Sequence, residues 1–145
     1  MKPLAAPSIA LLALLMLLVP IARDGIAAVA NGRQMLLGRL ADEAKRQNPG
    51  FAGFSAQRGR SFYLAQHAEG GNTPSCASCH GASPRSEGRT PAGRSIDPMA
   101  VSLSPQRFNN PVRVERWFSR ECDQVLGRAC TATEKGDFIT FMSSQ

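Results

Sequence analysis

Residues 74–81 read PSCASCHG: Cys76 and Cys79 stand two residues apart, and His80 follows the second cysteine directly. On a helix, cysteines at this spacing lie about one turn apart. Each thiol can then add across one vinyl group of a single porphyrin, and the adjacent imidazole can ligate its iron. This is the attachment signature of a c-type haem. It makes Cys76 and Cys79 the covalent haem cysteines and His80 the proximal iron ligand, with one covalent haem c as the cofactor. Other readings are weaker. A thioredoxin-like dithiol needs a βαβ context that the chain lacks. A zinc site needs four ligands, and Cys122, Cys130 and His67 stand at no common zinc spacing. A Cys76–Cys79 disulfide would be strained and would leave His80 without a role.

Covalent haem attachment is made outside the cytoplasm, and the N-terminus agrees with that. Lys2 precedes an apolar run, Arg23 and Asp24 interrupt it, and Ala28-Val29-Ala30 ends it with small residues. That order marks residues 1–30 as a secretory signal peptide and the protein as periplasmic. The competing reading is an uncleaved anchor, because the run is about as long as the shortest spanning helices; the protein would then be membrane-associated. An oxidising compartment lets Cys122 and Cys130 pair. Without residues 1–30 the chain keeps 15 basic and 10 acidic side chains, a net charge of +5. Arginine supplies the excess and is spread along the chain. No aromatic-basic interleaving suggests nucleic acid. A mildly basic exported protein docks instead on an acidic partner protein or an anionic membrane surface.

Residues 31–145 allow one modest core. The spacing of Met35, Leu36, Leu37, Leu40 and Ala44 predicts a helix over Gln34–Gln47, stopped by Pro49 and Gly50. A second helix is expected over Ser55–His67, with Phe62, Tyr63 and Gln66 on one side and Gly59 allowing another helix to approach. Residues 68–110 are rich in Gly and Pro and read as loop; such a length is unusual in a compact domain unless it wraps a large buried cofactor. A third helix starts at Asn110 as cap with Pro111 at its first position, and Val114, Trp117 and Phe118 face inward. The last helix starts at Thr131, with Glu134 completing a capping box and Phe138, Phe141 and Met142 inward. No strand and no repeat is expected. The fold class is therefore all-α: a signal peptide over 1–30, an N-terminal helical extension over 31–54 and a haem domain over 55–145.

The second cysteine pair encloses DQVLGRA. A disulfide there closes a small loop, worth roughly 2–3 kcal/mol in the entropic model. It serves either stabilisation alone or the placing of a residue over the iron.

Together, RGRSFYLAQ…GGNTPSCASCHGA, GRTPAGRSIDPMA and RVERWFSRECDQVLGRACTATEKGDFITFM resemble the SHP-type monohaem cytochromes c and the related cytochromes c double-prime. The resemblance covers residues 55–145, and the block from Trp117 through Cys130 is its specific part. It implies a small class I-like cytochrome c fold, His80 as proximal ligand and a Cys122–Cys130 disulfide. It also implies a weak distal ligand, just before the first of those cysteines, that detaches on reduction and lets the iron bind small diatomic molecules. Family members work beside a dihaem cytochrome c and a membrane cytochrome b, so a redox partner protein of that kind is implied. The family places Asn or His at the distal position, and this chain has Glu121. A carboxylate is a hard oxygen donor and favours ferric over ferrous iron. Glu121 is thus the possible distal ligand; the bland alternative is an exposed glutamate paired with Arg120 or Arg116.

Met99 is the less favoured distal candidate, a thioether as in ordinary electron carriers; core packing is its other reading. His67 reads as a surface residue. Arg89 and Arg94 are either partners of the haem propionates or solvated. Arg113, Arg116 and Arg120 share a helix face that is solvated or partner-facing. The functional expectation is an exported electron-transfer cytochrome with a distal site opened by reduction. One alternative is a small haem enzyme reducing peroxide, hydroxylamine or nitric oxide, with Glu121 as general acid; the other is an ordinary His80/Met99 electron carrier.

Overall fold

The computed structural model describes residues 21–67 and 74–145, with the backbone alone for residues 21–31. Its described elements are five helices and one two-stranded ribbon, as an all-α expectation requires. Helix α1 spans Ile21–Gln47. Leu36, Leu40 and Ala44 recur four apart and are buried, which gives the helix one inward stripe. Met35 falls off that stripe and is 59% exposed, against the sequence reading. The helix ends where Asn48 Oδ1 accepts from the Gly50 N–H (2.9 Å). Most of the expected signal segment, residues 1–20, lies outside the described residues; Ala28–Ala30 have helical backbone. Among the described residues no helix is long and apolar enough to cross a membrane.

Helix α2 is Ala56–Leu64, capped by Ser55, whose side chain accepts from the Arg58 N–H (3.2 Å). It stops three residues short of His67, because Ala65 turns extended and the His67 N–H bonds the Pro74 carbonyl (2.6 Å). Gln66 is therefore exposed beyond the helix. A single turn, α3 (Ala77–His80), carries the cysteine-histidine motif. Strands β1 (Gly88–Arg89) and β2 (Ser95–Ile96) then pair antiparallel, where sequence reasoning expected no strand. Two residues each are too few to show a period of two.

Helix α4, Pro111–Leu126, begins as expected, with Asn110 Oδ1 accepting from the Arg113 N–H (3.0 Å). It runs to Leu126, because Val114, Phe118, Cys122 and Val125 form one buried stripe. Gly127, with φ of 66°, ends it. Helix α5, Ala132–Ser143, has the expected Thr131/Glu134 capping box.

Helix α5 is the centre of the core. Phe138, Ile139, Phe141 and Met142 are all buried, and each such side chain contributes about 1.5–3 kcal/mol. The Phe138 ring meets those of Tyr63, Phe108, Trp117 and Phe118 at centroid distances of 5.5–6.2 Å. Helix α2 crosses α5 at Gly59, where any side chain would overlap the Asp137 carbonyl oxygen. Buried Asp137 holds the crossing, accepting from the Ser55 N–H (2.6 Å) and from Arg58 Nε (2.7 Å) and Nη2 (2.8 Å). Leu36, Leu40 and Ala44 of α1 belong to the same core, so residues 31–54 pack as an integral layer of it.

Candidate haem-binding site

The short α3 turn is too small to hold itself, and three contacts fix it. Ser75 Oγ accepts from the Ser78 N–H (3.1 Å) and pairs with Ser78 Oγ (2.9 Å), capping the turn from outside. The buried Tyr63 hydroxyl donates to the Gly81 carbonyl (2.6 Å) and ties its end to α2. Gly88 of β1 lies so close to the Cys79 carbonyl and the His80 Cα that a side chain there would overlap both. The ribbon thus braces the motif from behind.

In front of the motif is a narrow cleft. Ser75, Cys76, Cys79 and His80 form one wall; Trp117, Glu121, Gln124 and Val125 of α4 form the facing one, with Phe138 between. A second, smaller hollow continues it, sharing Cys76, Trp117, Glu121, Val125 and Phe138. A cavity of about 320 Å³ is elsewhere: Arg107, Phe108, Asn109, Arg113 and Val114 line it. Trp117 borders all three.

The electrostatics of the cleft suit a ligand-binding imidazole. Burial lowers the His80 pKa; Glu121 opposes that shift and the Arg107 charge adds to it. The favoured form is neutral, which is the form that binds a metal. His80 Nδ1 is buried and has no hydrogen-bond partner. The Cys76 thiol is pushed up to about 11 by burial, partly offset by a backbone hydrogen bond and reinforced by Glu121. Neither Cys76 nor Cys79 is in a disulfide. Two unpaired thiols, an adjacent neutral imidazole and an aromatic facing wall fit a covalently held haem.

Glu121 lies on the helix wall facing His80, and α4 positions it. The small loop expected between Cys122 and Cys130 is mostly helix, since α4 runs to Leu126. The Cys122–Cys130 disulfide, with Cα atoms 5.6 Å apart, joins the end of α4 to the start of α5 instead. The Glu121 carboxylate also pairs with Arg120, at 2.6 Å from Nη2 and 2.7 Å from Nε, and its side chain is 28% exposed. Met99 is 1% exposed, packs in the core and is not among the cleft residues. His67 packs on Phe62 at 5.5 Å and does not reach the cleft. Arg89 and Arg94 are exposed on the β1–β2 ribbon, away from all three cavities. Sequence reasoning missed Ser75, Gln124 and Arg107. The Ser75/Ser78 spacing was a legible capping signal, and Gln124 follows Glu121 by one helical turn. Arg107 carried no local signal.

Residues 49–142 match a family model described as a domain of unknown function (DUF1924). Over 91 residues the chain is 43% identical to cytochrome c-type protein SHP of Cereibacter sphaeroides, covering 62% of this chain and 70% of that protein. It is 28% identical over 122 residues to cytochrome c″ of Methylophilus methylotrophus, covering 83% and 84% respectively. The structure of oxidised SHP, described as an oxygen-binding cytochrome c, superposes with a TM-score of 0.71 at 37% identity, over 78% of this chain and 96% of that one. Oxidised cytochrome c″ from Methylophilus methylotrophus gives 0.69 at 26% identity, over 79% and 95%.

Proposed function

Because the chain belongs to the SHP-type cytochrome c family, we propose that it is an exported monohaem cytochrome c that transfers electrons and opens a distal site on reduction. A bound haem would supply one-electron chemistry at its iron. Cys76 and Cys79 would hold it covalently, and His80 would ligate the iron through nitrogen. Glu121 would offer a carboxylate oxygen from the helix wall, and Arg120, its partner in the structure, would hold that carboxylate when it is released. The site would then be open to a small diatomic ligand, as in SHP, an oxygen-binding cytochrome c. Export to the periplasm places the electron transfer beside a dihaem cytochrome c or a membrane cytochrome b.

The observation that carries this reading is the placement of Glu121 and His80 on facing walls of one cleft. Met99, enclosed in the core, gives the ordinary His/Met carrier less support. The test is absorption and EPR spectra of both oxidation states for wild type, Glu121→Gln and Met99→Leu. An oxygen-ligated ferric spectrum, altered in Glu121→Gln alone, and a ferrous form that binds carbon monoxide rapidly are expected. A methionine-ligated spectrum lost in Met99→Leu refutes the reading.

A further inference from the structure

Arg107 has a place that the cleft residues do not explain. It lies in the loop between β2 and α4 and lines the 320 Å³ cavity. Its Nη2 donates to the Pro98 carbonyl (2.9 Å), but its Nε is buried and has no partner. The Asp97 carboxylate attracts its charge, but among the described residues it forms no ion pair within 4.0 Å. A buried guanidinium N–H left unbonded is costly, so the arrangement calls for an acceptor.

The chain holds Arg107 there actively. Arg33 of α1 donates from Nη2 to the Pro105 carbonyl (2.8 Å) and from Nε to the Arg107 carbonyl (3.3 Å). Phe108, next in the chain, is the one non-glycine among the described residues with positive φ, at 64°. Such backbone is strained and persists only where its surroundings enforce it. Gly32 contributes as well, because a side chain there would press on the Asn109 carbonyl.

Chemistry identifies the acceptor. In a porphyrin attached through its vinyl carbons, the two propionates occupy the opposite edge. Cys76 and Cys79 fix the vinyl edge in the cleft, and Trp117 leads from that cleft to the Arg107 cavity. Arg113 adds a second guanidinium to the cavity wall. Arginine is suited to such a partner, since its planar fork matches a carboxylate.

We propose that Arg107 is the haem-propionate anchor of this cytochrome, held in register by the Arg33 clamp. The proposal rests on the haem reading above, and it moves the propionate contact from Arg89 and Arg94 to a loop that the sequence left unassigned.

The test uses the full chain with its haem attached. The spectrum of the wild-type protein comes first: absence of a c-type haem spectrum sinks the haem reading itself. With haem present, the readouts are the midpoint potential and the propionate bending band in resonance Raman for wild type, Arg107→Gln, Arg107→Lys and Arg89→Gln. Arg107→Gln removes a positive charge near the iron, so its potential falls and the propionate band shifts. Arg107→Lys keeps the charge but not the fork, so the band shifts while the potential stays near wild type. Arg89→Gln matches wild type in both. Should Arg107→Gln fail to fold, Arg107→Lys carries the test alone, and an unmoved band in it overturns the proposal. A band and potential unchanged in Arg107→Gln also overturn it, as does an Arg89→Gln that shifts the band. Adding acetate to wild type separates a resident propionate from a free carboxylate. An unchanged potential is expected, and an acetate-dependent fall overturns the assignment.

Discussion

Removing the Cys122–Cys130 bridge asks whether it positions Glu121 or only stabilises the fold. The cysteines are eight residues apart, and for a loop of that size the chain-entropy relation gives about 2.5 kcal/mol at 25 °C. For a domain of this length, that amounts to a fall in melting temperature of about 10 °C. Glu121 should nevertheless stay in place. The turn after it closes through the Gly127 N–H to the Asp123 carbonyl (2.9 Å). Phe118, Val125 and Leu126 keep that stretch of helix buried without help from the sulfurs. The assay is denaturant unfolding of the Cys122→Ala/Cys130→Ala double variant, with its ferric spectrum recorded under native conditions. A loss of about 2.5 kcal/mol, plus a smaller loss from two missing buried sulfurs, with a wild-type spectrum is expected. A ferric spectrum matching that of Glu121→Gln refutes the reasoning and makes the bridge a positioner; a loss under about 1 kcal/mol refutes the loop estimate.

Three further outcomes follow from the packing and caps. Gly59→Ala, with its new methyl against the Asp137 carbonyl, should cost about 1–3 kcal/mol in denaturant unfolding; a neutral result would mean that α2 and α5 do not cross there. Asp137→Asn keeps the shape but loses the charge-assisted bonds from Arg58, a loss of about 1–3 kcal/mol that double-mutant analysis with Arg58→Ala should trace to that pair. Burial raises the Glu134 pKa, but hydrogen bonds from Arg128 and Thr131 outweigh it and hold the carboxyl below its usual 4.5. Its contribution is thus fully present above that value and is lost as pH falls through the lower folded-state value. The melting-temperature gap between wild type and Glu134→Gln should be flat from pH 7 to 5 and close under stronger acid; a gap that widens there contradicts the assignment.

The caps were the most legible part of the fold, because Asn110, Thr131 and Glu134 act on backbone a few residues away. The end of α4 was less legible, since Arg120, Glu121 and Asp123 interrupt its apolar pattern. The buried stripe of Phe118, Cys122 and Val125 passes between them and carries the helix on. The early stop of α2 was hidden for another reason: the Pro74 carbonyl that draws the chain away is supplied from seven residues further along. At the site, Cys76, Cys79 and His80 lie within five consecutive residues and could be read locally. Glu121 entered only through resemblance to a family, because nothing in its immediate neighbours places it opposite His80. Arg107 could not be found at all, since its position depends on Pro98 and on Arg33 from the other end of the domain.

The Arg58–Asp137 pair spans 79 residues of chain, and this separation sets an order of events. Helices α1 and α2 bury their apolar faces chiefly on α5, which follows both of them in the chain. Until Phe138 and its neighbours arrive, neither early helix has a surface to pack on, and the segment around Cys76–His80 stays open. On the proposed haem reading, covalent attachment would have a time window that ends when the twelve residues of α5 dock. A variant that weakens α5 lengthens that window, and one that lets the core close early shuts the cysteines away before the cofactor reaches them.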